Sequence, residues 1–128
     1  MDIRQEINVL IVDDYIMMVK IMRNLLTQLG FEHITEETNA FAALEKLHNQ
    51  PFQLIISDWD METMSGQDFL NSVRQDKTLG EIPLVMVTDT SKLECAHATK
   101  EAGSAAYIVK PFNILTLKSK LVGVLGEF

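Results

Sequence analysis

The chain has 128 residues, which suits one ordinary domain and leaves little room for a second. A hydrophobic content of 47% excludes a disordered polypeptide, and no apolar stretch is long enough to span a bilayer. Lys and Arg number 11 against 18 Asp and Glu, and the net charge of −7 argues against nonspecific nucleic-acid binding and against polybasic attachment to a membrane.

The N-terminal residues, Met1-Asp2-Ile3-Arg4-Gln5-Glu6, lack the basic-then-apolar order of a signal peptide. The first apolar run, Val9-Leu10-Ile11-Val12, ends in Asp13-Asp14 and predicts a strand buried on both faces. A helix follows, with Val19, Met22, Leu25, Leu26 and Leu29 at three-and-four spacing and Gly30 as its stop. Because Ile16 to Met22 is almost wholly apolar, this helix is expected to be unusually well buried. The polar, threonine-containing segment from His33 to Glu37 suits an edge strand. Phe41, Leu44, Leu47 and His48 mark a second helix, broken by Asn49-Gln50-Pro51.

Leu54-Ile55-Ile56-Ser57 runs into Asp58, and a third helix carrying Phe69, Leu70 and Val73 follows the Ser65-Gly66 turn signal. Leu84-Val85-Met86-Val87 runs into Thr88, with a fourth helix expected from Lys92 to Ala102 before Gly103. Tyr107-Ile108-Val109 leads to Lys110-Pro111, and the last helix is expected from Ile114 to the end of the chain. Five strand–helix units in alternation imply an α/β fold, with a parallel sheet and helices on both faces. No internal repeat or linker interrupts residues 1–128, so a single domain is expected.

Ligands of such sheets bind outside the carboxyl ends of the strands. That edge would gather Asp13, Asp14 and Asp58 with the Thr88 hydroxyl and the Lys110 ammonium. Carboxylates so close together repel one another by about 1 kcal/mol per pair in water, and by more at lower dielectric. A divalent cation relieves that repulsion; a site with few hard oxygen ligands suits Mg²⁺, which keeps several waters and often meets a phosphate. Lys110 would place a compact positive charge opposite the metal, and Thr88 could donate to a phosphoryl oxygen.

Asp13-Asp14, Asp58-Trp59-Asp60-Met61, Thr88 and Lys110-Pro111-Phe112, in this order and spacing, resemble the receiver domain of two-component response regulators, especially stand-alone CheY-like receivers. The likeness extends over essentially the whole chain. It implies a doubly wound (βα)5 fold with a five-stranded parallel sheet of order 2-1-3-4-5; that order is the one known for CheY itself, so it comes with the resemblance and not from the residues. It further implies that Asp58 takes a phosphoryl group from the phosphohistidine of a histidine kinase. Asp14 would ligate Mg²⁺ directly, Asp13 largely through water, Asp58 through its carboxylate and Asp60 through its backbone carbonyl. Lys110 would neutralise the phosphoryl oxygens, aimed by a cis peptide to Pro111. Thr88 and Tyr107 would form the switch, and a face around Lys92, Tyr107 and Lys120 would meet a downstream protein in chemotaxis, the alternatives being a phosphate sink or another pathway's stand-alone receiver. The implied protein is a cytoplasmic monomer whose chemistry is its own phosphorylation and dephosphorylation, with a phosphatase as a further partner.

The same residues have plainer readings. Paired aspartates after a strand also serve as turns and helix caps, Thr88 could be an N-cap, and Tyr107 could simply pack. Cys95, the single cysteine, forms no internal disulfide, and with His97, His33 and His48 it lacks a partner at metal-ligand spacing. The seven methionines fill core gaps more readily than they form a partner surface. Trp59 is expected at the rim. Four positions depart from the family pattern: Asp89 where a small residue is usual, Asp60 which adds an acid two residues after Asp58, Glu62 where proline is frequent and the loop would therefore be less rigid, and Ile16 where a polar residue commonly starts the helix, leaving Asp13 or Asp14 to cap it. Two rivals use similar residues. One is a Mg²⁺-dependent aspartyl-phosphatase-type hydrolase, for which the chain is short; the other is a docking domain that works without phosphorylation.

Overall fold

The structure, a computed structural model, describes residues 2–89 and 103–128. Its five strands are β1 (Asn8–Val12), β2 (His33–Glu37), β3 (Leu54–Asp58), β4 (Leu84–Thr88) and β5 (Ala106–Val109). All neighbouring pairs are parallel, in the order β2-β1-β3-β4-β5, so the expected sheet is the observed one. The polar strand β2 lies at an edge, where its half-buried side chains tolerate water.

The helices among the described residues are α1 (Ile3–Glu6), α2 (Ile16–Gln28), α3 (Ala40–Asn49), α4 (Gly66–Gln75) and α5 (Ile114–Leu125). The four-residue α1, capped by the Asp2 carboxylate on the Arg4 N–H, has no counterpart in the sequence reading, because it is too short to show periodicity. α5 stops at Leu125 and does not reach the chain's end; Gly126 turns the backbone with φ +90°. The helix expected from Lys92 to Ala102 lies outside the described residues, as do Cys95 and His97.

Successive strand residues face opposite sides of the sheet, and each side has its own core. Val9, Ile11, Leu54, Ile56, Val85, Val87 and Ile108 pack with Val19, Met22 and Leu26 of α2 and with Leu117 and Leu121 of α5. Leu10, Val12, Ile55, Leu84 and Met86 pack with Ala40, Ala43 and Leu47 of α3 and with Phe69, Leu70 and Val73 of α4. Each large apolar side chain withdrawn from water in this way contributes about 1.5–3 kcal/mol.

α2 is less buried than its composition suggests. Only Val19, Met22 and Leu26 are fully buried, whereas Ile16, Met17 and Ile21 are 49%, 56% and 46% exposed. A helix of 3.6 residues per turn presents one stripe to the sheet, so the remaining residues of a continuous apolar run must face outward.

Candidate functional site

Strand register brings the polar ends together. Val12 pairs with Ser57, so Asp13, the residue just past β1, comes beside Asp58 at the end of β3. Asp58 pairs with Val87 and Thr88 with Val109, which carries Thr88 and Lys110 to the same edge. The Lys110 backbone N–H donates to the Thr88 carbonyl at 2.7 Å, fixing that approach. The Lys110–Pro111 peptide is cis, as the resemblance implied.

The carboxylates of Asp13, Asp14 and Asp58 each offer an oxygen, all within 4.8 Å of one another. Asp13 and Asp58 are buried and Asp14 is exposed. Lys110 Nζ donates to Asp58 Oδ1 at 3.0 Å and lies 3.9 Å from Asp13 Oδ2. Burial, reinforced by the neighbouring Asp13 charge and only partly opposed by Lys110, pushes the Asp58 carboxyl up to about 6. Burial likewise raises Asp13, with Asp14 adding to the effect, while the Tyr15 N–H and Lys110 pull it down. Negative charge is thus held here at a cost that one ammonium does not remove. The donor set is all hard oxygen, from three carboxylates on two turns, which fits a hard divalent cation that keeps part of its water shell.

Two loops fix these side chains. In the turn after β1, Asp13 Oδ1 accepts from the Tyr15 N–H at 2.9 Å. Tyr15 is the residue preceding the first turn of α2 and has no side-chain cap there, so neither aspartate caps the helix in the manner expected. Asp14 instead turns across the site, where its Oδ2 accepts from the Glu62 backbone N–H at 2.9 Å. The loop after β3 is held by Trp59 N–H donating to the Val87 carbonyl at 2.7 Å and Gly66 N–H donating to the Trp59 carbonyl at 2.8 Å. A Cβ on Gly66 would stand 2.3 Å from the Asp58 carbonyl oxygen and 2.7 Å from Trp59 Cα, so only glycine lets α4 begin this close to the strand. Ser65 caps that helix by accepting from the Asp68 N–H. In the sequence, Ser65-Gly66 reads as a turn; the close approach to Asp58 is visible only in three dimensions.

A match to the response regulator receiver domain family runs over residues 9–122. The chain belongs to this family. It is 39% identical over 119 residues to the chemotaxis protein CheY-3 of Vibrio cholerae, covering 93% of this chain and 92% of that one. Over 113 residues it is 40% identical to the chemotaxis protein CheY of Pseudomonas aeruginosa, covering 88% and 91% of the two chains. Among solved structures, the chemotaxis response regulator CheY4 of Vibrio cholerae superposes with a TM-score of 0.85 at 32% identity, over 93% of this chain and 98% of that one.

Within this receiver, the remaining candidate residues divide by sheet face. Thr88 is buried and shares the parity of Leu84 and Met86; Tyr107 pairs with Met86 and packs on the same core. Tyr107 is half-buried, and Lys120 Nζ lies 5.2 Å from its ring centroid, so these two residues of the expected partner face do adjoin. Lys92 lies outside the described residues. Asp60 is exposed and its carboxylate is not in the three-acid cluster; it lines a neighbouring groove of about 430 Å³ with Asp14, Trp59 and Glu62. Trp59 is half-buried at the rim, as expected, and Asp89 is exposed beside Thr88. His48 is paired with Asp76, far along the chain from these residues.

Proposed function

We propose that this protein is a stand-alone response regulator that accepts a phosphoryl group on Asp58 from a histidine kinase and thereby changes its affinity for a protein target, in chemotaxis. The observation that carries this reading is the packing of three carboxylate oxygens within 4.8 Å of one another, with the Lys110 ammonium 3.0 Å from Asp58 Oδ1. The chemotaxis context follows from relatives of that name whose length the chain covers to 91% or more. No helix among the described residues is long and apolar enough to cross a membrane, and a cytoplasmic setting is part of the proposal.

An oxygen of the Asp58 carboxylate forms a bond to phosphorus as the phosphorus–nitrogen bond of the donor's phosphohistidine breaks, and the electron pair of that bond stays on the imidazole. Asp14, Asp58 and the Asp60 carbonyl would hold Mg²⁺ directly, and Asp13 largely through water. Magnesium, when bound, supplies positive charge that offsets the carboxylates and the phosphoryl oxygens. Lys110 moves from the free carboxylate to the phosphoryl oxygens. Thr88 is drawn toward the same oxygens and Tyr107 turns inward behind it, which alters the surface it shares with Lys120. Only the phosphorylated form makes these contacts, so phosphorylation shifts a two-state equilibrium.

Incubation with a phosphorylated histidine kinase and Mg²⁺ should label the wild type once per chain and leave Asp58→Asn unlabelled. Equal labelling of the two would overturn the assignment, and steady turnover of a phosphate ester would favour a hydrolase. Asp89 adds a carboxylate at the entrance beside Thr88, where it repels small anionic donors. Asp89→Ala should therefore be labelled by acetyl phosphate about threefold faster or more, while labelling by the kinase changes less.

A further inference from the structure

Asp14 sits on an exposed turn, yet its carboxylate is not left to solvent: Oδ2 accepts from the Glu62 N–H at 2.9 Å, across 48 residues of sequence. The bond ties the turn after β1 to the loop after β3, the two segments that supply the acidic oxygens. It is compatible with the clustered geometry, because Asp14 already offers an oxygen within 4.8 Å of those of Asp13 and Asp58 while the bond is made. The Glu62 side chain is exposed, so the contribution comes from the main chain. Every amino acid except proline could make it.

We infer that the Glu62 backbone N–H is a positioning group that holds the Asp14 carboxylate ready for a divalent cation and couples cation binding to the loop carrying Trp59. The inference rests on the metal-binding part of the function proposed above. A flexible carboxylate loses side-chain freedom when it takes up a cation, and an existing charge-assisted hydrogen bond removes part of that loss beforehand. The outer partners of metal ligands act in this way generally. Glu62 thus has a role that its side chain does not advertise.

The test is Mg²⁺ titration followed by Trp59 fluorescence in the unphosphorylated protein. Glu62→Ala keeps the N–H and should bind Mg²⁺ within about twofold of wild type, whereas Glu62→Pro should bind about threefold to tenfold more weakly, the worth of one such hydrogen bond. Equal affinities for the two variants would overturn the inference, while a wild type that binds no Mg²⁺ would instead remove the metal from the proposed function. A second measurement does not depend on how Glu62→Pro folds. In amide NMR spectra of Asp14→Ala, the Glu62 N–H should shift upfield and exchange faster than in wild type; an unmoved Glu62 resonance would also overturn it.

Discussion

The two ends of the sheet treat charge in opposite ways. At the carboxyl ends of the strands, Asp13 and Asp58 are buried together and the carboxyl of each is raised from its ordinary value by that burial. At the other end, where α3 and α4 finish and β3 and β4 begin, charged side chains are matched with hydrogen-bond partners. Arg74 donates to the carbonyls of Gly80, Ile82 and Gly103 at 3.2, 2.7 and 2.9 Å, joining the segments that lead into β4 and β5. Asp76 accepts from Thr78 and pairs with His48 at 2.6 Å, and these contacts hold its carboxyl well below the usual range, the His48 bond contributing most. One end is a scaffold whose charged side chains find hydrogen-bond partners. The other stores unfavourable negative charge of the kind a bound cation would offset, and the same sheet supports both because the strands are apolar in between.

The comparison can be broken from either end. Arg74→Met keeps much of the side-chain volume but leaves three carbonyls without their donor, and should destabilise the fold by about 3 kcal/mol in urea unfolding. An effect below half that would mean the matched end is less important than its geometry implies. Asp13→Asn acts in the reverse sense. It removes one of the crowded charges and keeps an oxygen for the Tyr15 N–H, so without divalent cation the variant should be about 1 kcal/mol more stable than wild type. At saturating Mg²⁺ the order should invert, because the wild type gains more from the ligand. Two unfolding curves that keep the same order with and without Mg²⁺ would contradict the idea of stored charge.

The smallest expected effect sharpens the picture of the matched end. The Asp76 hydrogen bond raises the His48 imidazole above its ordinary 6.5, so the pair's contribution is complete below that value and fades as pH rises through the raised one. On the acid side it persists until the depressed Asp76 carboxyl takes up a proton, below its ordinary 3.8. His48→Gln should therefore lower the melting temperature slightly near pH 5.5 and leave it unchanged near pH 9. A gap that widens with pH would show that His48 acts by packing instead.

Much of this was readable in the residues, and for stateable reasons. Val9 to Val12, Leu54 to Ile56 and Leu84 to Val87 are buried on both faces, and such strands leave uninterrupted apolar runs. Asp13, Asp58 and Thr88 stand at the ends of those runs and Lys110 at the end of β5, so the candidate site followed once the strands were placed parallel. The misreadings have causes too. The run from Ile16 to Met22 promised a buried helix, but apolar content says nothing about which side of a helix faces the sheet. Glu62 looked like a lost proline, and its N–H toward Asp14 is a group that nearly every residue possesses and no sequence pattern marks.

Side-chain parity in β3 and β4 has one more consequence. Asp58 falls in step with Leu54 and Ile56, and Thr88 with Leu84 and Met86, so the two lie on opposite sides of a shared ladder. Such a device is insensitive to many single exchanges of one apolar residue for another, yet it is intolerant of indels. Adding or deleting one residue within β4 would move Thr88 to the side of Asp58 and reverse every contact behind it. Drift in this family can therefore alter the letters of these strands far more freely than their count.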